Sequence, residues 1–471
     1  MTLADTALSR LRSAFSGEIV APGDPDYHGA RRVWSAMFDR RPALVVRPVA
    51  AADVAAAIRF SREHDLVVAV RCGGHSISGH STCDEGLVID LSAMRGVSVD
   101  PEARLARVNA GAHLVELDRA AQAYGLVCPS GTVGHTGIAG LTLGGGVGRL
   151  QRLFGLTLDN LVAVELVAAD GRHVRASADE NPELFWALRG AGANFGVVTA
   201  FEFRLHPFGP TLTRGIRIYR PADAVAVWRA FHELLRVAPR QMGLNFVIGR
   251  ALPGDDYPAE VQGGPIVIVA FNHTGSEADA AAVLEPLTAT AEPVVASGGT
   301  LPYLDIQSMY DGDSEAATRY YSLGGFANDL QPATIAGLVD HAADAVGESG
   351  FSATGQGGAM ADMEEDATAF TGRRAWLRVT AENLWTDPAE DDASIAWCRR
   401  AMAIAEPDTV VGRYVNEVFE DGTDPGTIYG VEKARRLAAV KRAWDPDNVF
   451  RVNHNIDPRA APSAADGSPP G

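Results

Sequence analysis

Between Cys128 and Gly148 the chain reads Cys-Pro-Ser-Gly-Thr-Val-Gly-His-Thr-Gly-Ile-Ala-Gly-Leu-Thr-Leu-Gly-Gly-Gly-Val-Gly, eight glycines in 21 residues. Backbone of this kind suits tight turns and close approach to a ligand, so the stretch is expected as loops. A second cluster, Gly190-Ala191-Gly192-Ala193-Asn194-Phe195-Gly196, follows a predicted helix over 182–188 and precedes a predicted strand over 197–205. A dinucleotide-binding GxGxxG turn has the opposite context, strand then helix. With GxGxxxG spacing after a helix, a Rossmann reading fails, and a phosphate bound here would be held by loop amides.

A third loop, Arg71-Cys72-Gly73-Gly74-His75-Ser76-Ile77-Ser78-Gly79-His80-Ser81, closes a strand-like run over 66–70. Its paired glycines allow a sharp turn that leaves the His75 imidazole exposed beside bare backbone. Around these loops, apolar spacing predicts helices over 31–37, 50–64 and 113–124, the last ended by Gly125. Strands are predicted at 66–71, 87–91 and 105–110, and two more, 161–167 and 173–177, pair across Asp170-Gly171. From about Pro210 the pattern changes. Strands at 211–219, 243–250, 264–271 and 374–383 alternate with helices at 221–236, 276–288, 331–345 and 393–404, as in an antiparallel sheet covered by helices. A helix over 433–444, a turn at 445–448 and a disordered tail beyond Asp457 complete the chain.

At 471 residues the chain has room for more than one domain. Its 41 basic and 59 acidic side chains leave a formal charge of −18, which disfavours nucleic acid and anionic membranes as partners. Residues 1–15 contain no uninterrupted apolar run, so neither a signal peptide nor a membrane span is expected, and the default is a cytoplasmic protein. Cys72, Cys83, Cys128 and Cys398 lack zinc or disulfide spacing. The acidic run Asp362-Met363-Glu364-Glu365-Asp366 reads as a solvated loop, and no metal site is expected.

Five motifs in order carry a family resemblance: Arg71–Ser76, Gly137–Gly148, Pro182–Val198, Tyr414-Val415-Asn416, and Asp445–Arg451 with Asn453-His454-Asn455-Ile456. Together they resemble the berberine-bridge-enzyme-like oxidases, FAD enzymes of the vanillyl-alcohol-oxidase superfamily. The resemblance implies an α+β, two-domain PCMH-type FAD-binding fold with an inserted α+β substrate domain. Residues 1–207 and 409–457 would form the FAD-binding domain, 208–408 the substrate domain and 458–471 the disordered tail. It further implies that His75 is bonded to the flavin 8α-methyl carbon. The cofactor-binding residues would be Arg71, Cys72, Gly73, Gly74, His75, Ser76, Gly79, His80, Pro129, Ser130, Gly131, Val133, Gly134, Thr136, Gly137, Gly140, Gly144, Gly145, Gly148, Asn194, Gly196, Val197, Val198, Asn453 and Asn455.

Many relatives add a cysteine link to flavin C6. The matching position, counted back from Gly144, is Val133, and Cys128 lies five residues earlier, so one covalent link, through His75, is expected. Members with one link include proteins similar to 6-hydroxy-D-nicotine oxidase and bacterial polyketide-tailoring oxygenases.

The implied reaction is oxidation of a small organic molecule, a secondary metabolite, by hydride transfer to FAD with O2 as acceptor, giving H2O2. An oxygenase of the same fold is the alternative, and a flavin-holding protein without turnover the minor one. Many relatives use a tyrosine base in Tyr-x-Asn-Tyr, whereas this chain has Tyr414-Val415-Asn416-Glu417. Candidate catalytic residues are therefore Glu417 and Tyr414, with Tyr320, Tyr321 and Glu382 as further bases from the middle of the chain.

Overall fold

The computed structural model describes residues 5–252, 257–314, 318–420 and 422–459. The predicted disorder beyond Asp457 falls, from residue 460 on, outside them. The fold is α+β. A four-stranded sheet runs Glu18–Val20, Leu44–Arg47, Leu87–Asp90, Val68–Arg71. Its last three strands are parallel, which requires a crossover, and the helix Ala51–Glu63 supplies one. Beside it lies an antiparallel sheet ordered Val97–Asp100, Leu105–Asn109, Val197–Arg204, Leu161–Val167, His173–Ser177. Val54 and Ile58 of the helix are fully buried in the core shared with these sheets.

An eight-stranded, fully antiparallel sheet follows, ordered Val295–Pro302, Thr211–Tyr219, Pro265–His273, Met242–Arg250, Gly350–Gly355, Leu377–Trp385, Arg319–Ala327, Thr409–Val410. One face is apolar: Leu244, Phe246, Val269, Ala353, Val379 and Ala381 pack under Trp228, Phe231, Leu338 and Trp397 of the covering helices. Alternation turns the next residues along each strand to the opposite face. The first core also takes in Tyr414, Val415, Leu437, Val440, Phe450 and Ile456, so both ends of the chain pack together.

Four expectations change. Residues 31–37 are not helical; the helix there is Tyr27–Ala30. Arg71 takes the carbonyls of Ala30 and Arg32, and Trp34 and Ala36 donate their N–H groups to Gly74 and Thr318, so long-range partners consume what a helix would need. The glycine-dense stretch is not all loop: Ile138–Gly144 is a helix that buries Ile138, Ala139 and Leu143 in the core, and that burial outweighs low glycine propensity. Strands at 295–302, 319–327 and 350–355 escape the sequence pattern because glycine and small residues dilute it. In the acidic run, Glu365 accepts the N–H groups of Gly372 and Arg373 and pairs with Lys433, which makes it a staple, not a solvated side chain.

Candidate active site

The polar face of the eight-stranded sheet looks across a cavity of about 680 Å³ toward the glycine loops. On the loop side, Gly73 passes so close to Gly137 that a Cβ there would lie 2.4 Å from its nitrogen. This contact lets the 71–81 and 131–148 segments form one wall. His75 projects from it, its ring stacked on Trp34 at 4.9 Å and 17°, with Nε2 2.6 Å from Nδ1 of His135. Burial, then the neighbouring His135 and His113, push the His75 pKa down to about 3, so the imidazole is neutral and keeps a nucleophilic lone pair at physiological pH.

The sheet side carries the ionisable groups. Tyr320 donates its hydroxyl to Glu382 Oε2 at 2.6 Å. Tyr320 stands opposite Leu384 and Glu382 opposite Ser322, a diagonal cross-strand pair on one face. Trp34 meets Tyr320 edge-on at 5.6 Å, so two ring contacts join the pair to His75. Burial raises the Glu382 pKa, Glu417 adds to it, and Tyr320 and Arg378 oppose it. The Tyr320 pKa is raised well above its ordinary value, first by burial and then by Glu382, which keeps the phenol protonated. Arg378 pairs with Glu417 and donates to Thr354, which donates on to Asn245.

Glu417 and Tyr414, the candidate bases, are both at the cavity and both engaged. Glu417 Oε1 is paired with Arg378, and its Oε2 accepts from Thr380 at 3.2 Å. The Tyr414 oxygen accepts N–H groups from Gly146 at 3.1 Å, Val147 at 3.4 Å and Asn416 at 3.0 Å. Tyr321 faces away, toward Arg399 and Glu420.

Of the anticipated cofactor residues, Cys72–Ser76, His80, Gly131, Val133, Thr136, Gly137, Gly140, Gly148, Asn194, Gly196, Val198 and Asn453 line the cavity. The others stand behind it. Arg71 is buried against Asp90 at 2.7 Å, and Gly79 packs on Phe38. Ser130, next to Pro129, bonds Asp118, and Gly134 N–H donates to Asp311. Gly144 and Gly145 abut Asn416 and Tyr414, while Val197 lies in the core and Asn455 is off the wall. All four cysteines are free. Cys128 is sealed in the core, and the Cys72 thiol, raised to about 11 chiefly by burial, donates to Ala112 O. Arg378, Asn245, Arg149 and Arg214 at the cavity, and Trp34 and His135 against the His75 ring, were not anticipated as site residues. The available signal was a polar or charged residue at every second position of an otherwise apolar strand, Arg378-x-Thr380-x-Glu382.

The cavity fits a flavin nucleotide. A Cβ at Gly140 or Gly192 would meet no protein atom within 4 Å, so backbone there is bare toward the ligand space. The N–H groups of Gly74, His75, Ser76 and Ile77 donate to no protein acceptor among the described residues, and buried Asn453 Oδ1 lacks a donor. Unspent amides in a glycine loop are the donors a pyrophosphate requires. With the hydrogen-bonded Tyr320–Glu382 pair on the opposite wall, fold and site define an FAD-dependent oxidoreductase.

The comparisons agree. An FAD binding domain model matches residues 42–177, and a berberine and berberine-like model matches 413–457. An FAD-linked oxidoreductase of Dictyostelium discoideum is 30% identical over 94% of this chain and 95% of its own length. The (R)-6-hydroxynicotine oxidase of Paenarthrobacter nicotinovorans is 28% identical over 95% and 98%. Among solved structures, 6-hydroxy-D-nicotine oxidase from Arthrobacter nicotinovorans superposes with a TM-score of 0.84 at 27% identity, covering 97% of this chain and 100% of that one. The glucooligosaccharide oxidase of Acremonium strictum, with 6-S-cysteinyl, 8α-N1-histidyl FAD, shares the fold at a TM-score of 0.86 and 22% identity, covering 97% and 100%. The chain belongs to the berberine-bridge-enzyme-like family of FAD-linked oxidoreductases. Among the described residues, no helix is long and apolar enough to cross a membrane.

Proposed function

We propose that this protein is an oxidase of a small organic molecule, that FAD is attached through His75 alone, and that Tyr320 with Glu382 accepts the substrate proton. The observation that carries the reading is the 2.6 Å Tyr320–Glu382 hydrogen bond inside the cavity, two ring contacts from His75. When bound, FAD supplies the two-electron acceptor for hydrogen leaving the substrate carbon and later passes both electrons to O2, giving H2O2.

The chain's own part is to move the proton. As a substrate O–H or N–H gives its proton to the Tyr320 oxygen, the Tyr320 proton passes to Glu382, so no phenolate has to persist in a buried site. Glu417 acts by holding Arg378 in place. Tyr414 gathers the N–H groups of Gly146 and Val147, which positions the turn beneath the ligand. A neutral His75 and a valine at 133 support one covalent link.

The test is twofold. Acid-precipitated protein keeps its yellow colour and intact mass shows one FAD adduct, both lost in His75→Ala. Against a panel of alcohols, amines and sugars, peroxide forms one for one with product. A colourless wild-type pellet would sink the link, and labelled oxygen from O2 in the product would sink the oxidase reading.

A further inference from the structure

The end of the cavity away from Tyr320 holds two cations that the proposed chemistry does not use. Arg149 follows Gly148, and Arg214 lies on the strand Thr211–Tyr219; both line the cavity. Leu212, on the same face as Arg214, packs with Leu150 and Ile306, and Arg149 Nη2 donates to Ile306 O at 3.1 Å. The two side chains thus meet at one patch. There the Arg149 guanidinium also stacks over Tyr310 at 5.4 Å. Asn272 pairs with Arg214 on one side and Gly243 on the other. A Cβ on Gly243 would lie 3.5 Å from Arg149 O and 3.6 Å from Asn272 Nδ2, which puts that amide beside Arg149.

The charges do not balance at this end. No ion pair is formed by Arg149 or Arg214 among the described residues, and Arg149 Nε is buried without a hydrogen-bond partner. Among carboxyls, Asp118 acts on Arg149 only weakly and is itself held by Ser130 and Gln307, and burial together with Arg214 lowers the Arg149 pKa. At the other end, by contrast, Arg378 is neutralised by Glu417. In a chain of net charge −18, two guanidinium groups that act on each other at one end of a cavity are not a by-product of general basicity. Like charges held together in a partly dry cavity gain by taking up an anion, and a guanidinium offers it two parallel donors.

Resting on the reading above, we infer that Arg149 and Arg214, with the Asn272 amide, form a subsite for an oxyanion of the substrate, a carboxylate or an ionised phenol or enol. Four strand steps separate the Arg214 strand from the Glu382 strand, on the order of 19 Å. The anionic group and the oxidised carbon therefore belong to opposite ends of an extended molecule, of polycyclic or oligomeric length.

The experiment is calorimetric titration of FAD-loaded, full-length protein with benzoate as carboxylate probe, 4-nitrophenolate as phenolate probe and benzamide as neutral control. FAD per chain is read by absorbance in the same samples. At least one anionic probe binds, benzamide binds much more weakly, and Arg214→Met and Arg149→Met each weaken the anion by roughly 10- to 100-fold. Arg214→Lys recovers part of the loss, and whichever anion binds tighter assigns the oxyanion type. The inference is overturned if neither anion binds, if benzamide binds as well, or if both methionine variants keep wild-type anion affinity. It is also overturned if those variants lose FAD while circular dichroism is unchanged, because the cations would then serve the cofactor's phosphates. Wild-type protein that takes up no FAD would instead defeat the flavoenzyme reading, a separate result in the same measurement.

Discussion

His135 Nδ1 stands 2.6 Å from His75 Nε2, and Trp34 lies nearly flat on the same His75 ring. Such a contact spends an N–H of one ring and a lone pair of the other. With His75 donating from Nε2, its Nδ1 carries the free lone pair, the tautomer that attachment through Nδ1 requires.

His135→Leu is therefore expected to slow covalent FAD incorporation while noncovalent binding persists. His135→Asn, whose Oδ1 can replace the acceptor, is expected to restore much of the rate. Intact mass over time after mixing apo-protein with FAD separates the two. Equal rates in wild type and His135→Leu would exclude the role.

Removing the proton path should cost turnover and not cofactor. Tyr320→Phe and Glu382→Gln are each expected to lower kcat by about 10²- to 10⁴-fold with unchanged FAD content, the usual reach of a positioned acid–base group. Stopped-flow bleaching of the flavin absorbance under anaerobic conditions reads this step directly.

The pH dependence follows from Glu382. Its pKa is raised by burial and by Glu417, so the carboxyl is neutral at low pH and cannot accept the Tyr320 proton. Flavin reduction should rise as pH rises through that pKa. Glu417→Gln removes a like charge and frees Arg378, so the rising limb should move to lower pH. For stability the sign is opposite: a raised folded-state pKa favours the fold at low pH, and that contribution is lost as pH rises through it.

Tyr414→Phe leaves the buried N–H of Gly146 without its acceptor. The expected cost is about 1–3 kcal/mol, read as a lower urea midpoint, with the Glu382-dependent pH limb in place. If Tyr414 were the base, that limb would vanish.

Lys441 and Asp445 form a fully buried ion pair at 2.7 Å, and Lys441 also donates to the carbonyls of Asn194 and Phe450. Lys441→Met strands the Asp445 charge, so a loss of about 3–5 kcal/mol is expected. Since Asn194 and Phe450 both line the cavity, FAD uptake should weaken in parallel, measurable by fluorescence titration.

The cofactor side of the site was legible because backbone chemistry leaves a glycine signature in consecutive residues, as at Gly73–Gly74 and Gly190–Gly196. Local signals also sufficed for the Asp170-Gly171 turn and the helix at 51–63. The substrate side was not legible in the same way. Tyr320 and Glu382 meet through strand register, 62 residues apart. Trp34 reaches His75 only after Arg71 has taken the carbonyls of an expected helix. Arg214 and Arg149 come together through a shared apolar patch that no spacing announces.

Because residues 414–456 pack into the same core as the first 205, the cavity wall at Phe450, Val452, Asn453 and His454 is synthesised well after the glycine loops of the same cavity. The contacts that close it have the longest loops in the chain, and such contacts form late. Cofactor loading is thus expected to follow synthesis of that wall, and truncation after the eight-stranded sheet should give a chain that buries its middle core yet captures no flavin.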